Sequence, residues 1–379
     1  MRIRAVVLHE PGRPVHVEEV ELDPPRDDEV LVRVAAAGVC HSDLHLAEGS
    51  LGSGRWPMVL GHEGAGIVEE VGARVTHVRP GDRVAFCFVP SCGMCAQCRA
   101  GRPNHCKPAA RNGVKGMLMD GTSRLRLPDG TELQHGLMTA CFADRAVVAA
   151  AGAVPLPDGL PLWQAALLGC GVVTGIGAVR NVARLAIGDT ACVIGCGGVG
   201  LQVIAGARLA GASRIVAIDR NQEKLALALR RGATDAVDGA TEDGRKAVLR
   251  LCPGGVDHAF EVVGRADTIR LAWDVVRPGG SVVVVGLAPK GVEVTLPAIE
   301  FMSEKTIRGC YYGSTNVAEA LPRLAALARD GVLDLAGVVS HFTELEGVEE
   351  AFDRLRRANG ARTIVVVEPE LADAPKVWA

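Results

Sequence analysis

Four cysteines within fifteen residues, Cys92, Cys95, Cys98 and Cys106, carry the strongest chemical signal in the chain. A Cys-x-x-Cys-x-x-Cys run closed by a fourth cysteine lets one short loop wrap four thiolates around a tetrahedral ion, the donor set of a closed structural zinc site. The competing reading, a group of buried or disulfide-bonded cysteines, is disfavoured by the regular spacing. A second signal follows at Gly195, Gly197 and Gly200, which form GxGxxG between a strand-like apolar run and a helix-like one. Backbone amides and a helix dipole placed there can hold a pyrophosphate. Asp219 ends the next strand-like run, nineteen residues after Gly200. A carboxylate at that point accepts from both ribose hydroxyls of an adenosine and repels a 2′-phosphate, which favours NAD over NADP. Arg220, beside it, pulls the other way. The alternative is a tight strand-to-helix turn with a capping aspartate. Lys224 is either a second ribose contact or a solvated helix lysine.

Three further residues have the mixed nitrogen and sulfur character of a catalytic zinc: Cys40 in GVCHSD, His62 in GHEGAG and Cys170 in LLGCGV. Three protein ligands leave a fourth position open, where the cation lowers the pKa of a bound hydroxyl. Taken singly, a cysteine in an apolar stretch is usually a small buried hydrophobe, and a histidine a hydrogen-bonded structural residue. Their wide separation means that spacing alone does not group them. Cys87, Cys141, Cys192, Cys196, Cys252 and Cys310 follow no motif and read as packing residues.

The elements that must position these groups change in texture along the chain. Residues 1 to about 165 read as short strands broken by turns, such as EVLVRVAAAGVC, GAGIVEEVG and DRVAFCF. The segment 111–140, with DGT starting at both Asp120 and Asp129, reads as an inserted loop and hairpin. From about 170 to 309, strand, glycine turn and helix alternate, which argues a parallel sheet with crossover helices. VDHAFEVVG and SVVVVGL suit strands buried on both faces. The last seventy residues add two helices and a terminal strand, RTIVVV, expected to rejoin the first domain. The expected fold class is therefore α/β: a β-rich domain, 1–169 with 310–379, around a doubly wound parallel sheet, 170–309.

Composition narrows the partners. The chain has 379 residues, enough for two domains, 48% of them hydrophobic. A net charge of −3 gives no basic field for nucleic acid or an anionic membrane. No run of about 18 apolar residues offers a membrane span, and the N-terminus shows period-two alternation and no secretory pattern. Twelve cysteines then fit a reducing compartment, with the cytoplasm as the expected location and small molecules as the expected partners.

GVCHSD, GHEGAGIVEEVG, the four-cysteine loop, LLGCGVVTGIGA, GCGGVG and EVVGRADT, in this order, closely resemble the zinc-dependent medium-chain alcohol dehydrogenases over essentially the whole chain. The resemblance implies a GroES-like catalytic domain, a Rossmann domain, two zinc ions per chain and NAD. Cys40, His62 and Cys170 match the catalytic zinc ligands, Glu63 an alternate ligand, and Asp43 the acid that orients the zinc-bound histidine. Ser42 and His45 match a proton relay from the bound alcohol to solvent, although both residue types also cap or solvate helices. His41 and Arg362 match pyrophosphate contacts, Arg265 an adenine contact, and Thr174 and Val199 the nicotinamide wall. Leu51, Phe88 and Leu287 match pocket positions suited to a primary aliphatic or aromatic alcohol or aldehyde; ordinary core packing is their plain alternative.

The loop around DGTSR is similar to that of the larger, dimeric alcohol and thiol-dependent formaldehyde dehydrogenases. A homodimer through SVVVVGL and its neighbours is the corresponding expectation. An S-hydroxymethyl thiol adduct is the alternative substrate, with Leu51 and Ala110 replacing the acid and arginine that would recognise glutathione and Arg111 adjacent. A third reading is a non-catalytic zinc- and nucleotide-binding protein, which would be expected to lack catalytic ligands that are all present here.

Overall fold

The computed structural model describes residues 1–50 and 55–375. The chain divides into two compact units, Met1–Cys170 with Asn316–Ala379, and Gly171–Thr315. These joints fall one and six residues later than the sequence reading placed them. Cys170 stays with the first unit because the turn before it lies on the strand Arg83–Phe86, so closely that a Cβ on Gly169 would come within 2.2 Å of Phe86 O. Residues 310–315 stay with the second, where Asn181 Nδ2 donates to Gly313 O at 2.8 Å.

In the first unit, the strands Arg2–Leu8, His16–Leu22, Leu125–Arg126, Glu132–His135 and Met58–Val59 close into a barrel. A seven-stranded sheet runs in the order Ala153–Pro155, Arg83–Phe86, Glu63–Val71, Glu29–Val39, Arg362–Val366, Val339–Thr343, with Arg145–Ala149 also paired to Glu29–Val39. The segment 111–140 forms the expected hairpin, but it is not an appendage. Its two strands fill the gap in the barrel between His16–Leu22 and Met58–Val59. Each DGT is a turn in which the aspartate side chain accepts from a backbone amide two residues on, Thr122 N at 3.0 Å and Thr131 N at 2.9 Å.

Beneath this hairpin lies a charge network that the sequence reading did not single out. Arg124, 1% exposed, donates from Nε and Nη2 to the two oxygens of buried Glu29 at 2.8 and 2.6 Å, and from Nη2 to Asp120 at 2.6 Å. The forked geometry is what allows these charges to be buried. His135 Nε2 accepts the Arg124 amide at 3.1 Å. Burial, reinforced by the Arg124 charge, lowers the His135 pKa to about 3.

The second unit is a six-stranded parallel sheet in the order Asp235–Asp238, Arg214–Asp219, Thr190–Ile194, Val256–Glu261, Val276–Val284, Thr306–Gly309. Strand order reverses between Thr190–Ile194 and Val256–Glu261, and ligands of such sheets bind outside the carboxyl ends of the strands at that switch point. The inner strands are apolar on both faces because helices cover both sides. Helix Gln222–Arg230 starts where Asn221 Oδ1 accepts from Glu223 N and Lys224 N at 2.9 and 3.2 Å. SVVVVGL belongs to Val276–Val284, the strand next to the edge. Thr306–Gly309 pairs outside it and leaves most of its own length exposed. No single helix among the described residues is long and apolar enough to cross a membrane.

The neutral, buried His135 ties stability to pH. An unfolded chain protonates this ring near pH 6.5 and the folded one only near pH 3. Its contribution is therefore complete above pH 6.5 and is lost as pH falls toward 3, at about 1.4 kcal/mol per pH unit. His135→Asn, which keeps an acceptor for the Arg124 amide but does not titrate, is expected to flatten the fall in melting temperature between pH 6.5 and 4. Parallel wild-type and variant curves would remove His135 from this role.

Candidate active site

The strand Glu29–Val39 lies antiparallel between Glu63–Val71 and Arg362–Val366, with Gly38 opposite Glu63 and Val39 opposite Thr363. Three distant parts of the sequence, at Cys40, Glu63 and Arg362, therefore end at one corner of the sheet. Gly38 makes the room, since a Cβ there would come within 2.5 Å of Glu63 Oε2 and 3.0 Å of Arg362 Nη2. Gly61, at φ +96°, turns the chain into His62, with no space for a Cβ beside Phe142 N. Helix His41–Ala47 starts directly after Cys40 and carries Ser42, Asp43 and His45. Cys170 enters from the turn seated on Arg83–Phe86. One donor atom each from Cys40, His62, Glu63 and Cys170 lies within 4.8 Å of all the others, and all four residues are buried.

Asp43, fully buried, accepts from His62 Nδ1 at 2.9 Å and Gly61 N at 3.1 Å. That contact fixes the ring and leaves Nε2 buried without a hydrogen-bond partner among the described residues. Burial works to lower the His62 pKa, but the Asp43 charge and hydrogen bond outweigh it and raise it to about 10. The two sulfurs are split: the Cys170 hydrogen bond, helped by His62, pulls Cys40 well below the usual thiol value against the effect of burial, while Cys40 and burial push Cys170 up. Without metal the pocket thus holds protons that a divalent cation would displace. Two sulfurs, an imidazole nitrogen and a carboxylate fit zinc, the buried His62 Nε2 and Glu63 Oε1 being without a hydrogen-bond partner among the described residues.

Around these donors, Phe88 packs edge-on against His62, ring centroids 5.2 Å apart at 84°. Ser42 Oγ lies 4.0 Å from Cys40 Sγ, and the His45 ring is 6.3 Å from that of His41. Leu51 lies outside the described residues. Arg362, expected at a pyrophosphate, is buried with its guanidinium in an ion pair with Glu63. Ala110 and Arg111 are exposed on helix Lys107–Gly113, and Arg111 Nε donates to Asn112 Oδ1 at 3.3 Å.

The four-cysteine loop also comes together, with Cys92, Cys95, Cys98 and Cys106 donor atoms all within 4.8 Å of one another. Cys92 N donates to Cys106 Sγ and Cys95 N to Cys92 Sγ, both at 3.3 Å, the backbone support that thiolate ligands receive. Amide donors at Cys98 and Lys107 lower the Cys95 pKa to about 6. Each of the twelve cysteines is free of a disulfide.

In the second unit, the three glycines of GxGxxG do different work. Gly195 has φ +96°, Gly200 approaches so closely that a Cβ would lie 1.9 Å from Gly195 O, and the Cβ side of Gly197 is open, with nothing within 4 Å. An open position at the start of helix Gly198–Leu209 is where a phosphate reaches backbone amides. Asp219 accepts from Cys196 N at 2.7 Å and Asn221 N at 3.0 Å, so its carboxylate is held beside the turn. Lys224 is half-buried on the next helix and Arg220 is exposed. Gly175 lets helix Gly171–Gly177 approach Val199 O, a Cβ there reaching it at 2.8 Å, so half-buried Thr174 and Val199 sit on contacting helices. Arg265 is exposed and donates twice to Asp267, both at 2.9 Å. Leu287 is 49% exposed, which sets aside core packing for it.

Residues 26–158 match the alcohol dehydrogenase GroES-like domain and residues 198–327 the zinc-binding dehydrogenase domain. The S-(hydroxymethyl)glutathione dehydrogenase of Photobacterium damsela subsp. piscicida is 38% identical over 368 residues, 96% of this chain and 100% of that one. Among solved structures, an alcohol dehydrogenase zinc-binding domain protein from Burkholderia ambifaria has a TM-score of 0.92 at 32% identity, and the benzyl alcohol dehydrogenase of Acinetobacter calcoaceticus 0.92 at 29%. Each covers 97% of this chain, which itself spans 99% of theirs. The chain belongs to the zinc-dependent medium-chain alcohol dehydrogenases. Zinc and a nicotinamide dinucleotide are the cofactors that this family implies.

The Asp43 contact yields a direct check. Asp43→Asn is expected to lower retention of one of two zinc ions by about 10- to 100-fold while the other stays bound. Competition with a chromogenic chelator, followed by elemental analysis, reads this out. Equal retention of both ions would mean that Asp43 does not support a metal ligand.

Proposed function

We propose that this protein is a zinc-dependent alcohol dehydrogenase that transfers hydride between a primary alcohol and aldehyde pair and NAD. The observation that carries the reading is the buried Cys40, His62 and Cys170 pocket, with His62 Nε2 unpartnered among the described residues and Nδ1 held by Asp43. When bound, zinc supplies Lewis-acid activation of the substrate oxygen and NAD accepts the hydride. Cys40, His62 and Cys170 hold the metal, and Glu63 stands by as an alternate donor whose charge Arg362 balances. Asp43 keeps the His62 ring in the one orientation that points Nε2 inward. Phe88, edge-on to that ring, presents apolar surface to the substrate carbon and limits water. Ser42 accepts the hydroxyl proton while giving up its own, since its hydroxyl is too weak a base to hold both, and His45 releases a proton to solvent.

Asp219 supports NAD, because a carboxylate fixed beside the GxGxxG turn disfavours a 2′-phosphate. Four thiolates at 92–106 support a second, structural zinc. For assembly we propose a homodimer joined along the exposed edge strand Thr306–Gly309, next to which Ile299 and Met302 are 77% and 80% exposed. Burying such residues against a two-fold mate removes an apolar patch and an unpaired strand edge together. Met302→Glu is expected to shift the sedimentation coefficient to that of a monomer; a wild-type monomer would sink the assignment.

A second reading is favoured by the 38% identical S-(hydroxymethyl)glutathione dehydrogenase: the substrate is the adduct of formaldehyde with a thiol. Exposed Ala110 and the engagement of Arg111 with Asn112 weigh against glutathione in particular. The deciding experiment follows NADH or NADPH formation with ethanol, longer alkanols, benzyl alcohol, and formaldehyde mixed with several thiols. Turnover of free alcohols with NAD that is lost in Cys40→Ser supports the alcohol dehydrogenase reading. Turnover only with formaldehyde and a thiol together transfers the assignment to the adduct, and no turnover with any pair leaves a non-catalytic binding protein.

A further inference from the structure

The strand Val256–Glu261 ends on a fully buried carboxylate. Its partners in the sheet are Val284 on one side and, on the other, Ile194, the last residue before the GxGxxG turn. Oε1 of Glu261 takes three donors: Val263 N at 2.9 Å, Gly264 N at 2.7 Å and Thr268 Oγ1 at 2.7 Å. Its main-chain oxygen takes two more, Val285 N at 2.8 Å and Gly286 N at 3.0 Å. Oε2 is buried with no hydrogen-bond partner among the described residues. One residue therefore ties the turn 262–265, the start of helix Ala266–Val275 and the turn 285–287 to the carboxyl end of the sheet.

The spacing leaves little slack. A Cβ on Gly264, at φ +88°, would lie 2.5 Å from Leu287 O, one on Gly286 2.1 Å from Gly264 N, and one on Gly195 2.7 Å from Val263 Cγ2. The three turns touch in sequence, and the two anchored by Glu261 expose Val263 and Leu287 at 44% and 49%. Apolar side chains left open at the switch point of a parallel sheet, beside an open phosphate cradle, offer a wall for the flat ring of a nucleotide.

We propose that Glu261 is a positioning residue for the dinucleotide: it holds Val263, Arg265 and Leu287 in one wall beside the GxGxxG turn and takes no part in hydride transfer. The inference rests on the reading that the second unit binds a nicotinamide nucleotide. A carboxylate serves here because one oxygen can gather two adjacent amides and a hydroxyl, which no apolar residue of that size can do. Without it, the buried Gly264 amide, the partly buried Val263 amide and the Thr268 hydroxyl lose their shared acceptor and the turn is free to rearrange.

NADH binding to the zinc-loaded full chain, followed by fluorescence, tests this together with amide hydrogen exchange. Glu261→Leu is expected to raise the NADH dissociation constant about tenfold and to speed exchange at Val263 and Gly264. Glu261→Gln keeps an oxygen for both amides and is expected to stay within about threefold of wild type on both readouts. Should Glu261→Leu not fold, Thr268→Val, which removes one donor from the half-buried end of the turn, is expected to weaken NADH about threefold with an unchanged melting temperature. An unchanged NADH constant in the folded variants overturns the proposal. Failure of wild type itself to bind NADH overturns the underlying reading as well, and is seen before any variant is made.

Discussion

Cys40, Asp43, His62, Glu63, Cys170 and Arg362 are withdrawn from water at one corner of a sheet, and separately each would be costly to bury in its charged form. They are tolerable only as a set. Asp43 answers His62, Arg362 answers Glu63, and the two sulfurs share their protons until a cation replaces them. This mutual dependence fixes much else. It demands the register of Glu29–Val39 against both neighbours, glycine at 38 and 61, and a terminal strand that returns from beyond the nucleotide unit to deliver Arg362.

The two candidate metal-binding groups show how differently a sequence can encode the same chemistry. The loop 92–106 carries its four donors within one local turn, so spacing alone announced it, and the structure gathers all four. The pocket of Cys40, His62 and Cys170 has no local signature, because its geometry comes from strand pairing across distant segments. Motif resemblance identified it where periodicity could not. The GxGxxG turn was legible as a phosphate site from its place between a strand and a helix, but the separate roles of its three glycines come only from the backbone geometry.

Other features were not legible for physical reasons. The hairpin after Asp120 looked like an insertion because its strands are only two and four residues long, and only tertiary pairing reveals that they close a barrel. Arg124, Glu29 and His135 were passed over because charged residues scattered at 29, 124 and 135 read as surface until the fold brings them together. SVVVVGL, expected from its apolar run to be buried on both faces and from resemblance to lie near a dimer edge, belongs to the strand next to the edge, and only tertiary pairing shows that a more polar strand, Thr306–Gly309, lies outside it. Glu261 went unremarked because an acid at the end of an apolar strand has no periodic signature; its meaning lies in the amides that converge on it.

The discontinuity of the first unit bears on how the protein is made. During synthesis, the nucleotide unit, 171–315, is complete while the sheet of the first unit still lacks Arg362–Val366 and Val339–Thr343. A domain emerging from the ribosome folds as a unit once its whole sequence is available. The earlier-made residues of the first unit must therefore wait, with residues 36–39 of the strand Glu29–Val39 lacking a partner on one side while Arg145–Ala149 already pairs with residues 29–33, until strand Arg362–Val366 is translated after the whole nucleotide unit. The candidate metal donors Cys40, His62 and Cys170 are thus all translated long before Arg362 arrives to balance the charge of Glu63, whereas the loop 92–106, self-contained in its donors, depends on nothing made later.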